Sequence, residues 1–230
     1  MGSSRLPGKV LQPLAGRPVL GWVIRAAQEA EVGPVIVATS DTPADDAVEE
    51  VARHAGALVA RGPLDDVLSR FLVALADADD GETVVRLTAD CPLLDPDVIR
   101  MAVAAFEAGP VDYLSTVEPR SLPRGLDVEV TSVGALRSID GTAEGVDRVH
   151  VTSALYRSPG HRLGSISFSP PAADMRLTLD TAEDLQLLEA VTTLLGDRSP
   201  SWGELVDLLR ARPDLVALNA HVRQKEIEEG

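Results

Sequence analysis

Four short segments concentrate the residue types that handle phosphate and metal. The first is Met1-Gly-Ser-Ser-Arg-Leu-Pro-Gly-Lys9, with two glycines, two hydroxyls, an arginine and a lysine. Glycines let a backbone curl so that its N–H groups converge on an anion. Arg5 offers a planar fork for phosphate oxygens, and Lys9 a point charge. The segment is not a Walker A loop, because Val10 stands where GxxxxGK[ST] needs a hydroxyl. The letters MGSS also open many affinity-tag leaders, so these residues alone leave a bland reading open.

The second segment is Arg86-Leu-Thr-Ala-Asp-Cys-Pro92. Pro92 keeps the residue before it extended, so Asp90 is expected at the carboxyl end of a sheet strand, where open α/β sheets bind ligands. A hard carboxylate there suits Mg²⁺ carried on substrate phosphates; an acid that merely caps a turn is the competing reading. The third, Arg176-Leu-Thr-Leu-Asp180-Thr181, repeats the pattern. Asp90 and Asp180 together can hold one or two Mg²⁺ ions, unless Asp180 only charges a helix N-terminus. The fourth, Pro123-Arg-Gly-Leu-Asp-Val-Glu129, runs an Arg-Gly loop into a strand that sends Asp127 and Glu129 to one face. Such a face can bind the hydroxyls or amine of a polar substrate, or simply meet solvent. His150 lies near a helix start, and His54 and His161 have no evident partner. Cys91 reads as a small packing residue beside the site, since no histidine is patterned with it to make it a nucleophile.

Elements must position these groups. Apolar residues at 19, 20, 23, 24, 26 and 27 follow helical spacing, with Pro18 near the first turn. The β-branched run over 35–39 predicts a strand buried on both faces. A helix follows from Asp41 or Thr42 to about Ala55, with Asp45, Asp46, Glu49 and Glu50 facing solvent, and Gly56 ends it. Strands at 58–60, 83–87 and 111–116 alternate with helices at 64–78 and 96–108, the latter capped by Asp95; the acidic run 77–82 reads as a solvated helix end. Further on, a period-2 strand at 126–130, a helix at 147–157, strands at 163–168 and 175–179, and helices at 181–195 and 202–211 precede a polar tail from 213. Alternating strands and helices predict an α/β fold: a doubly wound, mostly parallel, Rossmann-like sheet with helices on both faces.

The chain has 230 residues, a formal net charge of −15 and one cysteine. Its length suits a sizeable core, and its acidity excludes non-specific nucleic-acid binding over the general surface. No apolar run approaches the ~18–20 residues that span a bilayer, and no basic-plus-apolar leader is present. One cysteine excludes an internal disulfide, and four scattered histidines without an HxxxH pair argue against a zinc site. The expected compartment is the cytoplasm, and no membrane or nucleic-acid partner is expected.

In order along the chain, these segments resemble cytidylyltransferases of the spore-coat-polysaccharide type, relatives of the CMP-sialic-acid and CMP-Kdo synthetases. The resemblance is carried by Met1 to Leu14, Val37-Ala-Thr-Ser40 with Asp45-Asp46, Asp65-Asp-Val-Leu68, Arg86 to Pro92, Pro123 to Val130, His150-Val-Thr152 and Leu177-Thr-Leu-Asp-Thr181. Tag leaders do not continue RLPGKVL, so the bland reading of the start recedes. The resemblance implies a nucleotidyltransferase domain over 1–230, with an acceptor and dimerisation segment at 120–170 and a polar tail at 213–230. It implies transfer of CMP from CTP to an acidic or modified sugar with release of pyrophosphate, Mg²⁺ as cofactor, and a homodimer. Gly2, Ser3, Ser4, Arg5, Lys9, Thr39, Arg86 and Asp90 would surround the nucleotide, with Arg5, Lys9 and Asp90 catalytic. Asp90 and Asp180 would hold the metal; Arg124, Asp127, Glu129 and His150 would meet the acceptor.

Alternatives are a phosphonate or polyol-phosphate acceptor, or a nucleotide-binding subunit without catalysis. Two departures favour keeping them. Val149 stands where the family commonly has Glu before the histidine. A strand of type xxIIQAR, which precedes MGSSRLPGK in the family, is not seen ahead of Met1, so the natural polypeptide is expected to start upstream.

Overall fold

The computed structural model describes residues 5–224. A 3₁₀ turn at Lys9–Leu11 leads into an antiparallel pair, β1 (Pro13–Leu14) and β2 (Arg17–Pro18), and then α1 (Val19–Glu29). A parallel βαβ unit follows: β3 (Ile36–Ser40), α2 (Asp46–His54) and β4 (Leu58–Gly62). The chain continues through α3 (Val67–Ala74), β5 (Thr83–Arg86), α4 (Pro96–Ala108) and β6 (Tyr113–Ser115). Next come β7 (Glu129–Ser132), α5 (Val133–Ile139), α6 (Val146–His150), α7 (Ser153–Arg157) and β8 (Leu163–Ser165). The last elements are α8 (Ala182–Leu195), α9 (Trp202–Ala211) and α10 (Pro213–Val216).

The α/β class expected from the alternation is present, with one strand reversed. Among the described residues, β5–β7–β6–β8 form a four-stranded sheet in which β6–β8 is parallel and β7 is antiparallel to both neighbours. Thirteen residues separate β6 from β7, and that loop contains no helix, so the chain turns back beside β6 instead of crossing over. Period-2 alternation then splits the core. Val85, Leu114 and Val130 pack against α1, α4, α8 and α9. Val84 and Tyr113 face the other way, against α3, α5 and α7. Helices therefore cover both faces. The outer face of α1, with Leu20 and Ile24, joins α2 over β3 and β4.

Two caps expected from sequence are in place, whereas the one expected at Asp41 or Thr42 is not: a 3₁₀ turn at Pro43–Asp45 precedes α2, and neither has a side-chain cap bond. Asp95 accepts from the Asp97 N–H at 2.7 Å and also from the Trp202 N–H at 2.8 Å, tying the starts of α4 and α9 together. Thr181 and Asp184 form a capping box at the start of α8. Arg124 and Arg176 bridge two loop segments, and Gly125 makes this possible: a Cβ there would lie 2.5 Å from the Leu177 carbonyl carbon.

Several local expectations change. Ile36, Val37 and Ala38 of β3 are only half-buried, because the described residues pair β3 on one side alone. The helix expected over 64–78 spans only Val67–Ala74, and 175–179 forms a single bridge in place of a strand. The helix expected over 147–157 is broken at Val151, whose φ of 62° and ψ of −70° make a tight γ-turn with Thr152 N–H on the His150 carbonyl at 2.7 Å. His150 therefore ends α6 instead of starting a helix. The tail from 213 is not simply solvated, since Leu215 and Asn219 are buried.

Asp45 is the clearest reversal. It is buried, and one carboxylate oxygen accepts from Thr39 Oγ1 at 2.8 Å, Ser40 Oγ at 2.7 Å and the Ser40 N–H at 3.0 Å. Burial alone would raise its pKa; the hydrogen bonds from Ser40 and Thr39 outweigh burial and hold the carboxyl well below the ordinary range. A depressed folded pKa adds stability above the unfolded value near 3.8, and that stability is lost as pH falls through the folded value. Asp45→Asn should lower stability at pH 7 by about 1–3 kcal/mol. The gap from wild type should shrink below about pH 4. Urea unfolding of both proteins from pH 7 to pH 3 tests this, and a gap that stays constant with pH would count against it.

Candidate functional site

Beyond β5 the chain turns at Thr88, whose carbonyl accepts the Cys91 N–H, and this presents Asp90. The acid thus lies four residues past the strand end, not on it. Asp180 arrives from the loop before α8. The two acids are registered against each other by main chain: Leu179 N–H donates to the Asp90 carbonyl at 2.8 Å, and Thr178 Oγ1 supports it at 3.3 Å. Asp180 is not the helix cap, because Thr181 performs that role.

Lys9 lies between the two carboxylates. Its Nζ is 2.5 Å from Asp90 Oδ2 and 2.6 Å from Asp180 Oδ1. The other oxygen of Asp180 receives Arg176 Nη2 at 2.6 Å and Arg5 Nη2 at 3.0 Å. Burial would raise the Asp180 pKa; Lys9 first, then Arg176 and Arg5, hold it below the usual carboxylate range. For Lys9, burial acts to lower the pKa, and the two aspartates more than reverse it.

Arg5, Lys9, Asp90 and Asp180 line one cavity of about 890 Å³, with Arg176 behind Asp180. Of the residues expected at the site, Arg5, Lys9, Arg86, Asp90, Arg124, Asp127, Glu129, His150 and Asp180 all reach its wall. Thr39 does not; its hydroxyl is buried and donates to Asp45. Gly2, Ser3 and Ser4 lie outside the described residues. A second hollow beside α2 is lined by charges already paired with each other, Arg61 with Asp46 and Glu49, and Arg53 with Glu49.

The two acids expected to meet the acceptor are already engaged. Asp127 is gripped by Arg120 through two bonds, at 2.5 and 3.0 Å. Glu129 pairs with Arg86 through one oxygen and accepts from Tyr113 Oη at 2.6 Å and Thr152 Oγ1 at 2.7 Å through the other. Burial, then the Glu129 charge, pushes the Tyr113 hydroxyl far above its ordinary pKa, so it stays a donor. Arg124 differs. Among the described residues its half-buried guanidinium has no hydrogen-bond or ion-pair partner. Burial, then repulsion from Arg120, lowers its pKa. Cys91 is buried; desolvation, then Asp90 and Asp127, raises its thiol well above the ordinary value, so it packs and does not attack.

Sequence reasoning missed Arg120, Arg176 and Gln224. Arg120 falls in the 120–170 segment assigned to the acceptor but was not singled out there. Arg176 was quoted only as the first letter of its segment. Gln224 lies in the presumed polar tail, and only its approach to Arg176 Nη1 at 2.6 Å brings it to the wall.

Carboxylates and cations gathered where the loops of a two-faced α/β sheet converge define a nucleotidyltransferase of Rossmann-like fold. The chain belongs to the cytidylyltransferase family, whose sequence profile matches residues 1–198. It is 32% identical over 226 residues to the spore coat polysaccharide biosynthesis protein SpsF of Bacillus subtilis, covering 93% of this chain and 92% of that protein. A cytidylyltransferase from Leptospira borgpetersenii superposes with a TM-score of 0.89 at 26% identity, over 98% of this chain and 95% of that one. A CMP-2-keto-3-deoxy-manno-octonic acid synthetase solved with CTP shares the fold, with a TM-score of 0.61 at 18% identity over 85% of this chain and 95% of that one. The protein is therefore a CTP-dependent nucleotidyltransferase. Among the described residues no helix is long and apolar enough to cross a membrane.

Proposed function

We propose that this enzyme transfers CMP from CTP to an anionic acceptor, an acidic or modified sugar, and releases pyrophosphate. Arg124 carries the reading. Among the described residues every other arginine around the cavity has an acid or a carbonyl to hold; Arg124 alone of these keeps an unspent guanidinium, on the same wall as Asp127 and Glu129. A half-buried cation left in this state suits a carboxylate or phosphate on the incoming substrate. In a chain of net charge −15, such a local cation is what overcomes long-range repulsion of an anion.

Arg5 and Lys9 neutralise the triphosphate and the departing pyrophosphate. The acceptor oxygen attacks the α-phosphorus and gives up its proton to solvent, the bond from that phosphorus to the bridging oxygen of pyrophosphate breaks, and Arg124 holds the acceptor for in-line approach. The donor set of Asp90 and Asp180 fits Mg²⁺: the two hard carboxylates converge on the Lys9 ammonium, a place that already favours a cation, and the adjacent Cys91 thiol stays protonated. Among the described residues no group of three or more acidic, His or Cys ligands exists, so the nucleotide phosphates and water would complete the shell. When bound, Mg²⁺ would stabilise charge on the phosphates.

We read residues 1–230 as one nucleotidyltransferase domain, because its largest core runs from Leu14 to Leu215. Residues 120–170 serve the acceptor and a homodimer contact; Leu163, 53% exposed on the sheet-edge strand β8, supports the latter. The working compartment is the cytoplasm.

Arg124→Ala should raise KM for the acceptor about 10- to 100-fold, the worth of one charged hydrogen bond, and leave KM for CTP unchanged. Pyrophosphate release across acidic sugars, polyol phosphates and phosphonates measures this. Turnover confined to neutral acceptors would overturn the reading.

A further inference from the structure

Asp184 is fully buried and takes no part in the cavity, yet its two oxygens accept five hydrogen bonds. Oδ2 receives the main-chain N–H groups of Asp180 at 2.9 Å and Thr181 at 3.1 Å, and Arg176 Nη2 at 3.2 Å. Oδ1 receives Arg176 Nε at 2.9 Å and Asn219 Nδ2 at 2.8 Å. The same amide of Asn219 reaches the Arg176 carbonyl at 3.1 Å. Arg176 Nη2 then passes the restraint on to Asp180 Oδ2 at 2.6 Å.

Asp180 is thus held twice, through its backbone and through one carboxylate oxygen, while its other oxygen meets the Lys9 ammonium that also reaches Asp90. Capping α8 needs only one of the five bonds to Asp184, the one from Thr181. Of the other four, three come from Asp180 and Arg176 and one from Asn219. Asn219 comes from the C-terminal segment, past residue 198, where the family profile match ends.

We propose that Asp184, Arg176 and Asn219 are positioning residues that set the orientation of the Asp180 carboxylate for divalent-cation binding. This rests on the reading of Asp180 as a metal ligand. Buried partners that orient a ligating carboxylate typically change metal affinity 10- to 100-fold when removed. A network acting through one group is also non-additive with loss of that group.

The test is calorimetric binding of Mn²⁺–CTP and of metal-free CTP to wild type, Arg176→Lys, Asn219→Ala, Asp180→Asn and the double variants with Asp180→Asn, with melting curves for each. Arg176→Lys keeps the charge and loses the fork. Asn219→Ala removes only the far brace, so it keeps the experiment readable if the arginine variant folds poorly. Each single variant is expected to weaken Mn²⁺–CTP about tenfold, with metal-free CTP nearly unchanged for Asn219→Ala. Neither double should be weaker than Asp180→Asn alone. Wild-type affinity in Asn219→Ala and Arg176→Lys, with Asp180→Asn impaired, would overturn the positioning role alone. Losses that add in the doubles, or a lowered melting temperature with unchanged affinity, would reduce the network to a structural brace. Wild-type affinity in Asp180→Asn would overturn the ligand reading itself, and the inference with it.

Discussion

Asp180→Asn should lower the Mg²⁺-dependent rate of pyrophosphate release from CTP by about 10³-fold, the scale of a group that stabilises charge in phosphoryl transfer. The chain should still fold. Each cation around Asp180 keeps another partner: Lys9 has Asp90, Arg176 has Asp184, and Arg5 has the Arg223 carbonyl. Loss of the acid therefore strips the site of a metal-binding oxygen without leaving a buried charge unpaired. Asp90→Asn should behave alike, since Lys9 then retains Asp180. Steady-state turnover with saturating CTP and a melting curve check the pair. Wild-type turnover in either variant would remove that aspartate from the mechanism.

The largest effect on stability is expected at Glu129. Its carboxylate lies at the meeting of β5, β6 and the turn after α6, where it neutralises Arg86 and accepts from Tyr113 and Thr152. Burial acts against the Arg86 charge, and Glu129 is what restores it. Removal by Glu129→Ala leaves a buried guanidinium and two hydroxyls without their acceptor. Breaking one side of a buried pair costs about 3–5 kcal/mol. For a chain of this length that is roughly 6–20 °C in melting temperature. Glu129→Gln, which keeps an acceptor oxygen for the hydroxyls, should lose less. Calorimetric melting decides the matter. A Glu129→Ala protein that melts with wild type while its acceptor KM rises would return Glu129 to the acceptor, as its place beside Asp127 first suggested.

That reversal illustrates how much of the site was legible. Asp127 and Glu129 do reach one wall of the cavity, although β7 begins only at Glu129 and Asp127 lies ahead of it, within the stretch 126–130 expected as strand. Period-2 spacing carried no information about Arg120 and Arg86, which approach from a loop and a neighbouring strand and consume both acids. Arg124 was named beside them, yet its distinction, being among the described residues the arginine without a partner, depends on where every other acid goes. The acids at 90 and 180 were found because each was read as ending a strand, one ahead of Cys91-Pro92 and the other ahead of the helix-capping Thr181; in the fold both lie in loops. Asp45 was misjudged for the complementary reason. A helix start rich in acids predicts solvent exposure, but the hydroxyls of Thr39 and Ser40 at the end of β3 turned one of them inward.

What the sequence determined by itself is local: the helices with their caps, the βαβ rhythm, the cation-bearing Arg5–Lys9 segment, and the two loop acids. These follow from short-range hydrogen bonding and from side-chain periodicity, both of which are written in neighbouring letters. The tertiary structure decided the rest. It reversed β7, broke α6 from α7 at Val151, and brought Asn219 and Gln224 to Arg176. It also assigned each charge its partner, because a carboxylate leaving water pairs with whichever cation the fold delivers within about 3 Å, however far away that cation lies in the chain.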